Sequence, residues 1–114
     1  RWLSGSGVNA MSYVLGNLPK QALLSITLSP AAVSANTTAE QTFTVNGLLA
    51  GDMALVTKPT AQAGLGIVGS RVSAVNTLAI TFSNNTAGSI TPTAAETYLV
   101  LVSRPDRTIT DGNF

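Results

Sequence analysis

Arg71 to Phe82 reads R-V-S-A-V-N-T-L-A-I-T-F, and its second half decides the fold. Leu78, Ile80 and Phe82 alternate with Ala79 and Thr81. A period of two carried by β-branched and aromatic residues marks a half-buried strand, because successive side chains leave a pleated ribbon on opposite faces. Val72 closes an apolar run just before, and Asn76 places a turn signal between Ala74 and Thr77. The stretch predicts a hairpin at the centre of a sheet, with Leu65 to Val72 as its first arm and Thr77 to Phe82 as its second.

The same pattern recurs along the chain. Leu24, Ile26 and Leu28 alternate with small hydroxyl residues and stop at Pro30, which cannot donate to a ladder. Ala31 to Ala39 reads as a loop or an exposed edge. Thr42 to Val45 is a second strand with Phe43 and Val45 inward, and Asn46-Gly47 follows with residues that tolerate positive φ. Met53 to Thr57 is a short third strand stopped by Pro59. Asn84 to Pro92 is a turn-rich crossing, and Thr97 to Ser103 is apolar enough to be read as buried on both faces. No helix of ordinary length fits. The expected architecture is all-β: a small antiparallel β-sandwich or partly closed barrel of about six to seven strands. Its core is expected to hold Leu24, Ile26, Leu28, Phe43, Val45, Leu55, Ile67, Leu78, Ile80, Phe82, Tyr98, Val100 and Val102.

The organisation implied is an extended N-terminal arm at residues 1–21, a sandwich domain at 22–104 and a polar tail at 105–114. The arm mixes Trp2, Leu3, Val8, Met11, Tyr13, Val14, Leu15 and Leu18 with Gly5, Gly7, Gly16 and Pro19. Neither period survives those interruptions, yet the segment is too apolar for an ordinary disordered tail. It reads as an arm that docks elsewhere, or as a tail folded back on its own domain. The first residue, Arg1, points to a processed product or a fragment, and the glycines interrupt any signal-peptide apolar core.

Composition narrows the function classes. Only 10% of residues are charged, against about 25% in ordinary domains, and the net charge is +1. Nothing here supplies the basic field that counterion-release binding needs, so no nucleic-acid partner is expected. No run approaches the roughly 20 apolar residues of a membrane span, so the chain reads as soluble with no membrane partner. With zero Cys and zero His, thiolate sites and the usual general base are missing, and no cofactor or metal is expected. A domain of this size without disulfides has a thin stability margin, and its edges lack Lys gatekeepers, so a homo-oligomer is favoured.

Gly64 to Gly69 matches the G-x-G-x-x-G of dinucleotide sites, but β-branched sequence follows it where a helix is required and Ser89 stands where an acid is needed. Gly66 and Gly69 read instead as room for a bulge or a close approach of a neighbouring chain. Glu40 and Glu96 each fall near a predicted strand start and are the acids to watch for a convergent pair, although solvated strand-end acids are the commoner case. Lys58, Arg71 and Arg104 read as rim or interface charges. Asn36-Thr37-Thr38 and Asn84-Asn85-Thr86 fit the glycosylation sequon, which means little in a chain this rich in Asn and Thr with no secretory signal.

Four runs carry a resemblance: A-E-Q-T-F-T-V-N-G-L (Ala39 to Leu48), P-T-A-Q-A-G-L-G-I-V-G-S-R-V-S (Pro59 to Ser73), N-T-L-A-I-T-F (Asn76 to Phe82) and I-T-P-T-A-A-E-T-Y (Ile90 to Tyr98). In phrasing and order they resemble a small β-domain of tailed-bacteriophage virion structural proteins, of the capsid decoration or head-fibre type. The resemblance implies a structural protein of the virion, not an enzyme, whose partner is the major capsid protein and whose domain self-associates, a trimer being favoured. Trp2, Leu3, Tyr13 and Leu15 of the arm are the expected capsid contacts. The competing class is a receptor- or carbohydrate-binding module of a tail fibre or bacterial surface protein, against which the scarcity of aromatic platforms counts.

Overall fold

The computed structural model describes residues 20–105. Six strands make up the domain: β1 (Lys20–Leu28), β2 (Thr37–Thr44), β3 (Met53–Thr57), β4 (Leu65–Ala74), β5 (Thr77–Asn84) and β6 (Glu96–Arg104). They form two three-stranded antiparallel sheets, ordered β1-β6-β3 and β2-β5-β4. No helix occurs among the described residues. Only the β4-β5 connection stays within one sheet, and every other crosses to the opposite layer, so the result is a β-sandwich rather than a meander.

The alternation that predicted β5 is what joins the layers. Leu78, Ile80 and Phe82 are fully buried on one side, while Tyr98, Val100 and Val102 of β6 meet them from the other sheet in one cluster with Leu28, Val33, Val45 and Leu48. Leu24, Ile26, Phe43, Ala54, Val56, Leu65, Ile67 and Val72 pack around it. Among the strands, the central one of each sheet supplies the fully buried residues; Val33, Leu48 and Pro92 of the loops join them, and the edge strands close the rim.

Several expectations need correction. β1 starts at Lys20, so two residues assigned to the arm belong to the strand, and β2 starts at Thr37, so the stretch read as a loop or an exposed edge is loop up to Asn36 and edge strand from there. The hairpin is not wholly central: β5 is, but β4 is an edge. Leu55 is 65% exposed, with Ala54 and Val56 facing inward in its place. The apolar run of β3 gave no alternation to fix its parity. Beside it, Ser70 Oγ of β4 donates to the Ala54 carbonyl at 2.8 Å, and this approach of the two edges favours a small inward residue. β6 is buried on one face only, since Leu99 and Leu101 lie on its open side.

The bulge expected near the glycines is present. Pairing shifts by one residue between Ile67 and Gly69, and again between Val72 and Ala74, so Val68 and Ser73 are the extra residues. The first shift reverses parity, which is why Ser70 and Val72, rather than Gly69 and Arg71, continue the inward side of β4.

Loops are held by side chains whose roles the sequence did not announce. Asn84, 1% exposed, donates through Nδ2 to the carbonyls of Val33 (3.0 Å) and Gly88 (2.8 Å). Its Oδ1 accepts from the Thr86 amide and hydroxyl at 2.9 and 2.7 Å. All its hydrogen-bonding capacity is used inside, so this sequon is no glycan acceptor in the folded domain. Gln41 clamps both backbone groups of Ala31, and Gln62 bridges the Thr91 carbonyl and the Thr93 amide.

Candidate functional site

Carboxylates are the first place to look for chemistry, and in this domain each is committed elsewhere. Glu40 projects from the outer side of β2 and accepts two hydrogen bonds from Arg71 on β4, at 2.8 and 2.9 Å, a bridge passing over the central strand. Glu96, at the start of β6, accepts from the Thr60 hydroxyl, and Lys58 Nζ lies 2.9 Å from its other oxygen, an ion pair without hydrogen-bond alignment. Asp52, its side chain 1% exposed, holds Arg104 through both oxygens at 2.8 and 2.7 Å and accepts from the Leu49 amide at 2.9 Å.

Glu40 and Glu96 therefore sit on different sheets with different partners and form no convergent pair. Electrostatics agrees with the geometry. The Arg71 hydrogen bond lowers the Glu40 carboxyl, the Thr60 hydroxyl and then Lys58 lower Glu96, and Arg104 lowers Asp52. A general acid near neutral pH needs the opposite shift. Lys58, Arg71 and Arg104, expected at a rim or interface, are ties within the domain.

The glycine motif opens an edge strand. Gly64 has φ +80, and a Cβ there would run into the Thr86 side chain, while Asn85 donates to its carbonyl at 3.0 Å. Close approach thus falls at Gly64, and Gly66 faces open space. A shallow depression of about 320 Å³ lies beside it, lined by Gly64, Leu65, Gly66, Val68, Ser83 and Asn85. No cation and no helix N-terminus lines it, so a phosphate would find no counter-charge there. A second recess, about 190 Å³ and mostly apolar, is bounded by Leu24, Leu48, Val102 and the stem of Arg104. It is smaller than the roughly 300 to 1,000 Å³ of small-molecule sites. No cluster of metal-ligating side chains occurs among the described residues.

What remains is surface, and the two outer faces differ. The outward residues of β2, β5 and β4 include Thr38, Glu40, Thr42, Thr81, Ser83 and Arg71. Ala79 among them is fully buried, paired in register with Thr42 and Arg71 and roofed by the Arg71–Glu40 bridge. The other outer face carries Gln21, Leu23, Ser25 and Thr27 on β1, Thr97, Leu99, Leu101 and Ser103 on β6, and Met53, Leu55 and Thr57 on β3. None of these is charged. Leu23, Leu101 and Leu55 lie in register as one row across all three strands, with Leu99 and Met53 on either side of it.

Comparison with protein-family models, with curated proteins and with solved structures returned no match. The surface itself is then the informative feature. The expected capsid contacts Trp2, Leu3, Tyr13 and Leu15 lie outside the described residues, as does most of the polar tail. The leucine row went unforeseen because it is visible only once Leu23, Leu55 and Leu101, far apart in sequence, are brought into register. The signal available was the unbroken apolar run of β6.

Proposed function

We propose that this chain is a structural protein of a phage particle, a capsid decoration or head-fibre protein that binds the major capsid protein at the head surface and stabilises the shell. The observation that carries this reading is the two-sidedness of the sandwich: a charge-free leucine face on one sheet and a threonine-rich, ion-paired face on the other. A slab of that kind suits incorporation into a larger surface, with one side buried and the other wet. The resemblance of Ala39 to Leu48, Pro59 to Ser73, Asn76 to Phe82 and Ile90 to Tyr98 to phage structural domains supports it independently. So does the engagement of Glu40, Asp52 and Glu96 in ion pairs that hold the fold, which fits a non-enzymatic role. The aromatic rings of Phe43, Phe82 and Tyr98 are turned into the core, which weighs against the sugar-binding alternative.

In this reading the domain self-associates, as a trimer at the local threefold positions of the shell, and the arm with Trp2, Leu3, Tyr13 and Leu15 reaches the capsid protein. Repeating a weak contact at each subunit multiplies it through effective concentration. The test is a loading assay on undecorated heads with the full chain and with a variant lacking residues 1–19, which spares β1. The full chain is expected to saturate at a fixed copy number, and the shortened one to stay folded but unbound. Absence of saturable loading by the full chain overturns the function, and full loading by the shortened chain overturns the role of the arm.

A further inference from the structure

We infer that the outer face of the β1-β6-β3 sheet is the surface through which copies of this chain associate. The inference deepens the assembly part of the reading above, and its test uses the free chain in solution, so it stands or falls separately from capsid binding.

The case begins with area. Leu23 is 67% exposed, Leu55 65%, Met53 61%, Leu99 44% and Leu101 37%. At roughly 180 Å² for a fully open side chain of this size, the five present about 500 Å² of apolar surface in one contiguous patch, at the scale of the largest patch on a typical monomer. A standard interface buries about 800 Å² per partner, of which roughly 56 to 65% is apolar. Bordered by the uncharged Gln21, Ser25, Thr27, Thr57, Thr97 and Ser103, the patch is of the apolar extent that such an interface buries. The other large exposed apolar residues, Leu49, Val68 and Val75, stand on loops or on the opposite sheet and do not extend it.

Charge then selects the occupant. Across three strands no outward position carries a formal charge, in a domain whose other sheet face holds an ion pair. A face with no field offers nothing to a charged partner, whereas a symmetric contact brings the residues at its axis against their own copies, where like charges repel. A row of leucines running across the face of a sheet is complementary to the same row on another copy. Sheet faces pack this way at about 10 Å, with side chains interdigitated. Two faces turned to each other, or three turned to one axis, remove the patch from water.

The experiment is sedimentation velocity on the full chain across a hundredfold concentration range, with far-UV circular dichroism as the check of folding. The parent is expected to sediment as a closed oligomer. Leu23→Lys with Leu55→Lys places two charges on each face at exposed edge-strand positions, and is expected to weaken association at least about a hundredfold with an unchanged spectrum. Should that variant unfold, Ser25→Lys adds one charge at the border without touching a leucine and is expected to weaken association in the same direction. A parent that stays monomeric at the highest concentration overturns the inference, as does a folded lysine variant that associates like the parent. Trp2, the one tryptophan of the chain, identifies the alternative. A monomeric parent whose emission shifts to the red in the lysine variant has residues 1–19 on this face instead of a second copy.

Discussion

Arg104 at the end of β6 grips Asp52, just ahead of β3, through two parallel hydrogen bonds, and its Nη2 donates also to the Gly47 carbonyl at 2.7 Å. One guanidinium thereby fixes the last strand to the loop that carries the chain from one sheet to the other. Asp52→Ala leaves the Leu49 amide without its acceptor and the guanidinium with the Gly47 carbonyl alone. The expected loss is about 2 to 3 kcal/mol in urea unfolding, kept below the value for a fully buried pair because a quarter of the Arg104 side chain remains in water.

The same pair contributes to the acid limit. Asp52, Glu40 and Glu96 all titrate below their ordinary values, Asp52 chiefly through the Arg104 hydrogen bond. Their stabilisation is therefore complete above the unfolded carboxyl range near pH 4 and is lost as pH falls through the lowered folded values. Melting temperature should hold flat from pH 7 to 5 and drop steeply below about 4. Asp52→Asn should flatten that drop, and an unaltered acid profile in this variant argues against the pair as its main source.

Phe82 is wholly buried between the sheets, and Phe82→Ala should cost about 3 to 5 kcal/mol, most of what a small domain has. Loss of the cooperative thermal transition is the expected readout. A retained melting temperature contradicts the inward assignment of β5.

Tyr98 is as deeply buried, yet its hydroxyl finds no hydrogen-bond partner among the described residues. Removing an unsatisfied buried oxygen without changing the ring should be neutral or stabilise the fold by up to about 1 kcal/mol. Tyr98→Phe thus inverts the usual direction of a core substitution. Burial, with Glu96 nearby, also pushes the phenol up, so its contribution is intact below pH 10 and lost as pH climbs above. The Phe variant should resist alkaline unfolding better than the parent.

Two glycines just ahead of the bulge, four and two positions before Val68, should behave oppositely. Gly64→Ala meets the Thr86 side chain at a positive φ and is expected to cost about 2 kcal/mol or more. Gly66→Ala enters open space at ordinary strand angles and should gain about 0.5 kcal/mol. Equal effects at the two sites, measured by chemical denaturation, would show that the loop at 84–86 yields more readily than its hydrogen bonds imply.

Much of the sandwich was legible because its alternation was written in residues of contrasting size and polarity. Leu78, Ile80 and Phe82 against Ala79 and Thr81 fixed the face of β5 without help from any neighbour. β3 had no such contrast in Met53 to Val56, and which of its faces turns inward, that of Ala54 and Val56, is a fact of tertiary packing. The bulge at Val68 was foreshadowed by glycine, but its effect, turning Ser70 inward and Arg71 out toward Glu40, depends on a one-residue register shift that no local pattern encodes. Asn84 read only as the start of a turn-rich crossing, although it is a buried clamp, since the carbonyl of Val33 that it holds is 51 residues away in the chain. The leucine face was hidden for the same reason, its rows being assembled from three separated strands.

The neighbour of β1 in its sheet is β6, so the earliest of the described strands cannot be hydrogen-bonded until the latest has been made. On a ribosome the β2-β5-β4 layer can close once Asn84 emerges. β1 meanwhile waits for roughly 70 further residues beyond its own end, about 4 to 14 s at ordinary elongation rates, with Leu23, Leu24 and Ile26 uncovered. A nascent strand kept open that long is a natural client for a chaperone. Crowding of many such chains during a burst of production turns the same delay into a route to edge-to-edge mispairing between polypeptides.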